Sequence, residues 1–329
     1  MSALPVVRRL RDAIVLYWLV VTLTFVLVRL APGNPATMLV PPDASPATVA
    51  RLRHDFGLDA SYPVQYARWL GAVLTGDLGQ SFATHEPVTR VLARAAPISL
   101  GLGLTSLALT FLIGVPIGML QGARRGTGWD RTLTVLTTTV FAMPSFWLAL
   151  ALVAVFTYGA SVMGFPAWLR LPAFGVHTPG ATLGGWDEVR DVVRHAVLPV
   201  TILSAIGAAG IARYTRSSVA DASRQDFVRT ARAKGVSPVR VYMRHVLANV
   251  LPPLVVLLAL ALPGLVAGSI FVEAVFAWPG MGRTMLNAIA ARDYPVVMAS
   301  AMFYAGAVIA ANLAADLVLP LLDPRRVQS

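Results

Sequence analysis

The chain has no cysteine and a single lysine, Lys234, and only 13% of its 329 residues are charged. The first absence excludes disulfides and thiolate-bound metals. The second excludes a phosphate-cradling P-loop, which needs a lysine between glycine and serine or threonine. Lys234 lies between Ala233 and Gly235. Also missing are a Gly-x-Ser-x-Gly elbow and a His-Glu-x-x-His pair. The five histidines (54, 85, 177, 195, 245) stand singly, which argues against a metal site, and His195 and His245 at the ends of apolar runs read as structural. Neither covalent chemistry nor ATP binding is expected of these residues. The low charge also excludes an ordinary soluble domain, in which about a quarter of residues are charged.

What is abundant is apolar surface: 56% of residues are hydrophobic and the mean hydropathy is +0.67. Stretches without Asp, Glu, Lys or Arg run Ala13–Val28, Ala95–Ala123, Thr132–Leu169, His195–Ala212, His245–Val272 and Tyr294–Ala315. A helix crossing roughly 30 Å of hydrocarbon needs about 20 such residues. The predicted architecture is an all-α polytopic membrane protein with six spans near 12–31, 98–121, 132–158, 196–216, 249–275 and 299–321. The start, Arg8-Arg9-Leu10-Arg11 before an apolar run, has the look of a signal peptide. Lacking a small-x-small cleavage site, it is expected to be an uncleaved first span.

Orientation follows from the cations. The net charge of +11 comes from 26 Arg and one Lys. With both termini inside, segments 1–11, 122–131, 213–248 and 322–329 hold 16 Lys/Arg, against 10 spread over the longer outer segments. Positive charge concentrates on the cytoplasmic side of membrane proteins, so both ends are expected there, and the basic balance needs no nucleic acid. Outer loop 32–97 is long enough for a small helical cap. Ser45-Pro46 starts one short helix that Gly57 ends, and Val64–Leu74 forms a second, stopped by Thr75-Gly76. Loop 159–195, rich in Gly, Pro and Trp, is expected at headgroup level.

Within the spans, Gly114, Gly118 and Gly122 form a ridge that lets helix backbones approach closely, chiefly inside the subunit. Arg29, Glu273 and Asp316 all fall near span ends. An ion-coupled carrier, the alternative class of transporter, calls for acids or broken helices at mid-membrane.

The most informative segment is cytoplasmic: Asp226-Phe227-Val228-Arg229-Thr230-Ala231-Arg232-Ala233-Lys234-Gly235-Val236-Ser237-Pro238. Asp226 is expected to cap a short helix with Phe227, Ala231 and, more weakly, Thr230 and Lys234 on one face. Gly235 then closes it, and Ser237-Pro238 opens a second helix through Arg240 and Arg244. This segment resembles the EAA loop of ABC importer permeases. Arg29–Pro35, Phe56–Asp59, Pro63–Tyr66, Gly76–Phe82, Val275–Gly282 and Asp323-Pro324-Arg325 resemble the first permease of oligopeptide, dipeptide and nickel importers, in family order along nearly the whole chain.

The resemblance implies a type I importer permease forming half of a pathway for peptides or similar small solutes, with a nickel or metal-chelate permease as a variant. It divides the chain into a first helix and outer cap (1–97), a five-helix core (98–322) whose coupling loop covers about 219–248, and a tail (323–329). It assigns coupling to an ATPase cleft to Asp226, Phe227, Arg229, Thr230, Ala231, Arg232, Lys234 and Gly235, with Arg229 and Thr230 where the motif usually begins Glu-Ala. The implied partners are a second homologous permease, two ATPase subunits or domains that bind the ATP and Mg, an extracytoplasmic solute-binding protein and membrane lipid. The implied location is the cytoplasmic (inner) membrane of a prokaryote. This chain itself needs no cofactor.

Overall fold

The computed structural model describes residues 3–30, 45, 47–48, 51, 54, 59–267 and 270–322. The main helices among them are α1 (Ala3–Leu30), α2 (Tyr62–Leu74), α3 (Val88–Ala123), α4 (Gly128–Ala142), α5 (Ser145–Val153), α6 (Trp186–Ala222), α7 (Asp226–Ala233), α8 (Leu247–Ala267), α9 (Ile270–Val275), α10 (Met281–Ala290) and α11 (Tyr294–Leu322). Six helical stretches are long and apolar enough to cross a membrane, and among the described residues there is no strand. Ser45 Oγ accepts the Thr48 amide at 3.2 Å, as a cap would. The rest of that expected helix, the motif residues 31–35, 56–58 and 323–325, and the Asp316 side chain lie outside the described residues.

Hydropathy located the spans but not the helix ends. α3 and α6, of 36 and 37 residues, run well past the apolar stretches, because Arg90, Arg94 and Arg190 are good helix formers wherever water is available. The expected continuous third span is broken: Met143 and Pro144 are extended, at ψ 132 and 134, between α4 and α5. Proline lacks the N–H a helix interior needs and pushes its predecessor out of the α region. After α5 the helix widens into a π turn at Ala154–Tyr158. Of the expected fifth span, α8 and α9 are described.

The chain packs as two compact units: Met1–Pro97 with Thr284–Ala310, and Ile98–Arg283 with Ala311–Ser329. In the first, Phe25 of α1 meets Tyr66 and Trp69 of α2 at 5.3 and 5.2 Å between centroids. Asp293, 2% exposed, accepts from Ser81 Oγ (2.5 Å) and the Phe82 and Ala83 amides, holding the Gly76–Phe82 turn. In the second, the glycine ridge of α3 lies on α6. A Cβ on Gly114, Gly118 or Gly122 would approach Ala208 O to 2.7 Å, Ala212 O to 2.4 Å or Val219 Cβ to 2.6 Å. The ridge therefore packs helix on helix inside the subunit.

Candidate functional site

The basic loop folds as a helix, a glycine turn and a second helix. α7 starts after Gln225, which makes no side-chain cap bond. Asp226 is thus the first helical residue rather than the expected cap, and it supports the helix by placing negative charge at the positive end of the dipole. At the other end Gly235 takes φ +73. Its amide donates to Arg232 O (2.9 Å) and that of Val236 to Ala231 O (3.2 Å). This is a Schellman closure, which needs a left-handed residue after the helix. Ser237 and Pro238 begin the next helical stretch as expected, but it continues as a π helix at Val241–Val246 instead of an α-helix.

Packing decides which face of α7 is free. Val228 (1% exposed) and Ala231 (6%) are buried in a cluster with Met119, Val219, Ala222, Val241, Val246 and Val250, and Phe227 and Val236 pack against it. The face shared by Phe227 and Ala231 is therefore turned to the chain's own core. It anchors the protrusion, and Ala231 offers nothing outward. Asp226, Arg229, Thr230, Arg232, Lys234 and Gly235 are exposed. Arg229 Nη1 lies 3.5 Å from Asp226 Oδ1, with both side chains in solvent, and Thr230 Oγ1 donates to Asp226 O. With Arg224, Arg240 and Arg244 also exposed, the protrusion presents a cationic surface with Asp226 at one end.

An ion pair that sequence reading missed joins α4 to α6. Arg216 of α6 binds Asp130 bidentately, Nε to Oδ1 at 2.6 Å and Nη2 to Oδ2 at 2.9 Å. Gly126 N–H also donates to Oδ2, and Thr127 Oγ1 accepts the Asp130 amide. The Arg216 guanidinium, with help from the Gly126 amide, lowers the Asp130 carboxyl to about 2. The Thr127-x-x-Asp130 spacing, typical of a capping box, was the available signal. Pairing with a residue 86 positions away had none.

Glu273, expected near the end of a span, is completely buried. It accepts from Ser99 Oγ (2.6 Å) and from the Gly282 and Arg283 amides (2.8 and 3.2 Å), capping α10. A Cβ on Gly280 would come within 2.6 Å of this carboxylate, so the Trp278-Pro279-Gly280-Met281-Gly282 motif wraps a buried acid. His195 is 3% exposed and bonds Asp191 O at 2.8 Å, as a structural histidine does. His177 Nδ1 lies 3.8 Å from the same residue's Oδ2, a proximity not apparent in the sequence.

Residues 114–328 match the family of binding-protein-dependent transport system inner membrane components, and residues 4–103 match the N-terminal region of the same membrane components. An oligopeptide transport system permease protein of Bacillus subtilis is 34% identical over 97% of this chain and 98% of its own. A di/tripeptide transport system permease protein of Pseudomonas aeruginosa is 35% identical over 97% of each. Among solved structures, the inward-facing MetNI methionine ABC transporter has a chain matching at TM-score 0.51 with 19% identity, covering 71% of this chain and 97% of that one, a likeness of fold. With six membrane-crossing helices, no nucleotide-binding lysine and family matches along nearly its whole length, the chain belongs to the binding-protein-dependent transport system inner membrane components, as a multi-pass permease of the ABC importer type.

Proposed function

We propose that this permease forms half of a route for peptides into the cell, the other half coming from a homologous second permease. The observation that carries the substrate class is 34–35% identity to oligopeptide and di/tripeptide permeases over 97% of the chain. ATP and Mg belong to two ATPase subunits or domains, and an extracytoplasmic binding protein delivers peptide to the outer cap. The arginine bias supports cytoplasmic termini and a cytoplasmic α7. There, Asp226, Arg229, Thr230, Arg232 and Lys234 meet the ATPase, while Phe227, Ala231 and Gly235 fix the angle at which they arrive. Charge-assisted bonds from the two arginines to ATPase carboxylates give the contact strength and direction.

Reconstitution of this chain with the second permease, the ATPases and the binding protein in proteoliposomes tests the reading. Uptake of labelled di-, tri- and oligopeptides is expected only with ATP and all partners, and this chain alone is expected to hydrolyse none. Ion-driven uptake by the chain alone would overturn the proposal in favour of a secondary carrier.

A further inference from the structure

The break between α4 and α5 sits at an unusual depth. The two helices run antiparallel to α6 within the second unit. Asp130 binds Arg216, Phe141 stacks under Arg213 at 4.9 Å and faces Gly210, and Ala149 and Val153 cluster with Leu198 and Ile202. Met143 and Pro144 fall between the second and third of these contacts, level with the middle of the apolar 196–216 segment. Hydropathy alone had placed this region inside a continuous helix.

Broken helix leaves backbone groups without partners. The amides of Ser145, Phe146 and Trp147 and the carbonyls of Phe141, Ala142 and Met143 find no hydrogen-bond partner among the described residues. The break lies at the surface of this chain: Ala142, Pro144, Phe146 and Trp147 are exposed, Trp147 by 53%, and Met143 and Ser145 are half-buried. Lipid cannot satisfy such groups, so irregular backbone at membrane depth occurs only where protein covers it or water reaches it. Beside the break is an open cavity of about 530 Å³, lined by Thr138, Thr139, Ala142, Met143, Pro144 and Trp147. That volume lies in the range of small-molecule sites. Its lining carries no charge, and the Thr138 and Thr139 hydroxyls make no hydrogen bond among the described residues.

We propose that the Met143–Pro144 break and the cavity beside it line the water-filled route and contact the peptide in transit. The inference rests on the peptide-permease reading and gives that route a place on this subunit. Free backbone amides and carbonyls, with two threonine hydroxyls, pair with the main chain of a short extended peptide. The absence of charged lining admits peptide side chains of either sign.

The chain has no native cysteine, so Thr139→Cys and Ala142→Cys can each be assembled with the partners in vesicles and treated with a charged, membrane-impermeant methanethiosulfonate. Leu19→Cys, exposed in the middle of α1, is the lipid-facing reference. Both test positions are expected to react at least about tenfold faster than the reference, because the reagent needs water to arrive. Excess trialanine is expected to slow them severalfold. Rates equal to that at Leu19→Cys overturn the water-lined break. Fast labelling that trialanine leaves unchanged overturns the peptide contact. Peptide uptake by the unsubstituted complex is measured separately, so failure of the permease reading is distinguished from failure of this one.

Discussion

Gly235 has φ +73, and a Cβ there would meet nothing within 4 Å. Only backbone strain opposes substitution, and a β-branched residue resists this conformation most. Gly235→Val is expected to tilt α7 while leaving the spans inserted, since insertion rests on their apolar length. Peptide uptake by the reconstituted complex should fall at least about tenfold, or about 1.4 kcal/mol of coupling, whereas Gly235→Asn, which tolerates the left-handed region, should lose far less. Normal uptake in the valine variant would reduce the loop to a charged tether. Asp130 tests a different dependence. Its carboxyl is lowered from 3.8 to about 2, chiefly by the Arg216 hydrogen bond. The stabilisation is fully present above the ordinary value and is lost as pH falls through about 2, so this pair adds no pH dependence between pH 5 and 8. Asp130→Asn should destabilise by about 1.5–3 kcal/mol at neutral pH, the range for a hydrogen bond to a charged group. The Arg216 side chain retains 30% exposure and so recovers some solvation. Thermal unfolding in detergent measures the gap, which should close towards pH 2.

At the scale of helices, lipid removes the hydrophobic drive for association, so close van der Waals approach has to hold α3 to α6. Gly118 is the tightest point, 2.4 Å from Ala212 O to a hypothetical Cβ, whereas Gly101 on the same helix has open space around it. Gly118→Leu is therefore expected to separate the pair, cutting monodisperse yield and melting temperature in detergent. Gly101→Leu should be neutral or slightly stabilising, because leucine is the better helix former. Equal behaviour of the two variants would mean that the ridge carries no packing load. The C-terminal ends of α3 and α6 also meet α7, since Met119, Val219 and Val228 share one cluster. A displacement of α7 thus acts on packed helices rather than on a loose loop, as coupling through a rigid element requires.

For the whole molecule, orientation is the claim most directly open to experiment. From the arginine bias, both termini and α7 are expected on the cytoplasmic side and 32–97 and 159–195 outside. In a chain without cysteine, Ala50→Cys and Arg229→Cys serve as opposite markers. In right-side-out vesicles an impermeant thiol reagent should label the first and spare the second. The reverse pattern would invert the topology.

The sequence by itself determined the six apolar spans, the helix over Val64–Leu74, the glycine closure of α7 and the lack of a Gly-Lys-Ser/Thr phosphate loop. These depend on local properties: hydropathy over about 20 residues, proline at a helix start, glycine at positive φ, and a lysine in the right or wrong company. Only tertiary structure decided that Ala231 faces inward, that Asp130 holds Arg216, that Glu273 caps α10, and that the third span breaks where its backbone stays uncovered. Each of these joins residues far apart in the chain or depends on which helix face meets a neighbour. A periodic pattern with apolar residues all round does not record that choice, because lipid and protein interior accept the same side chains.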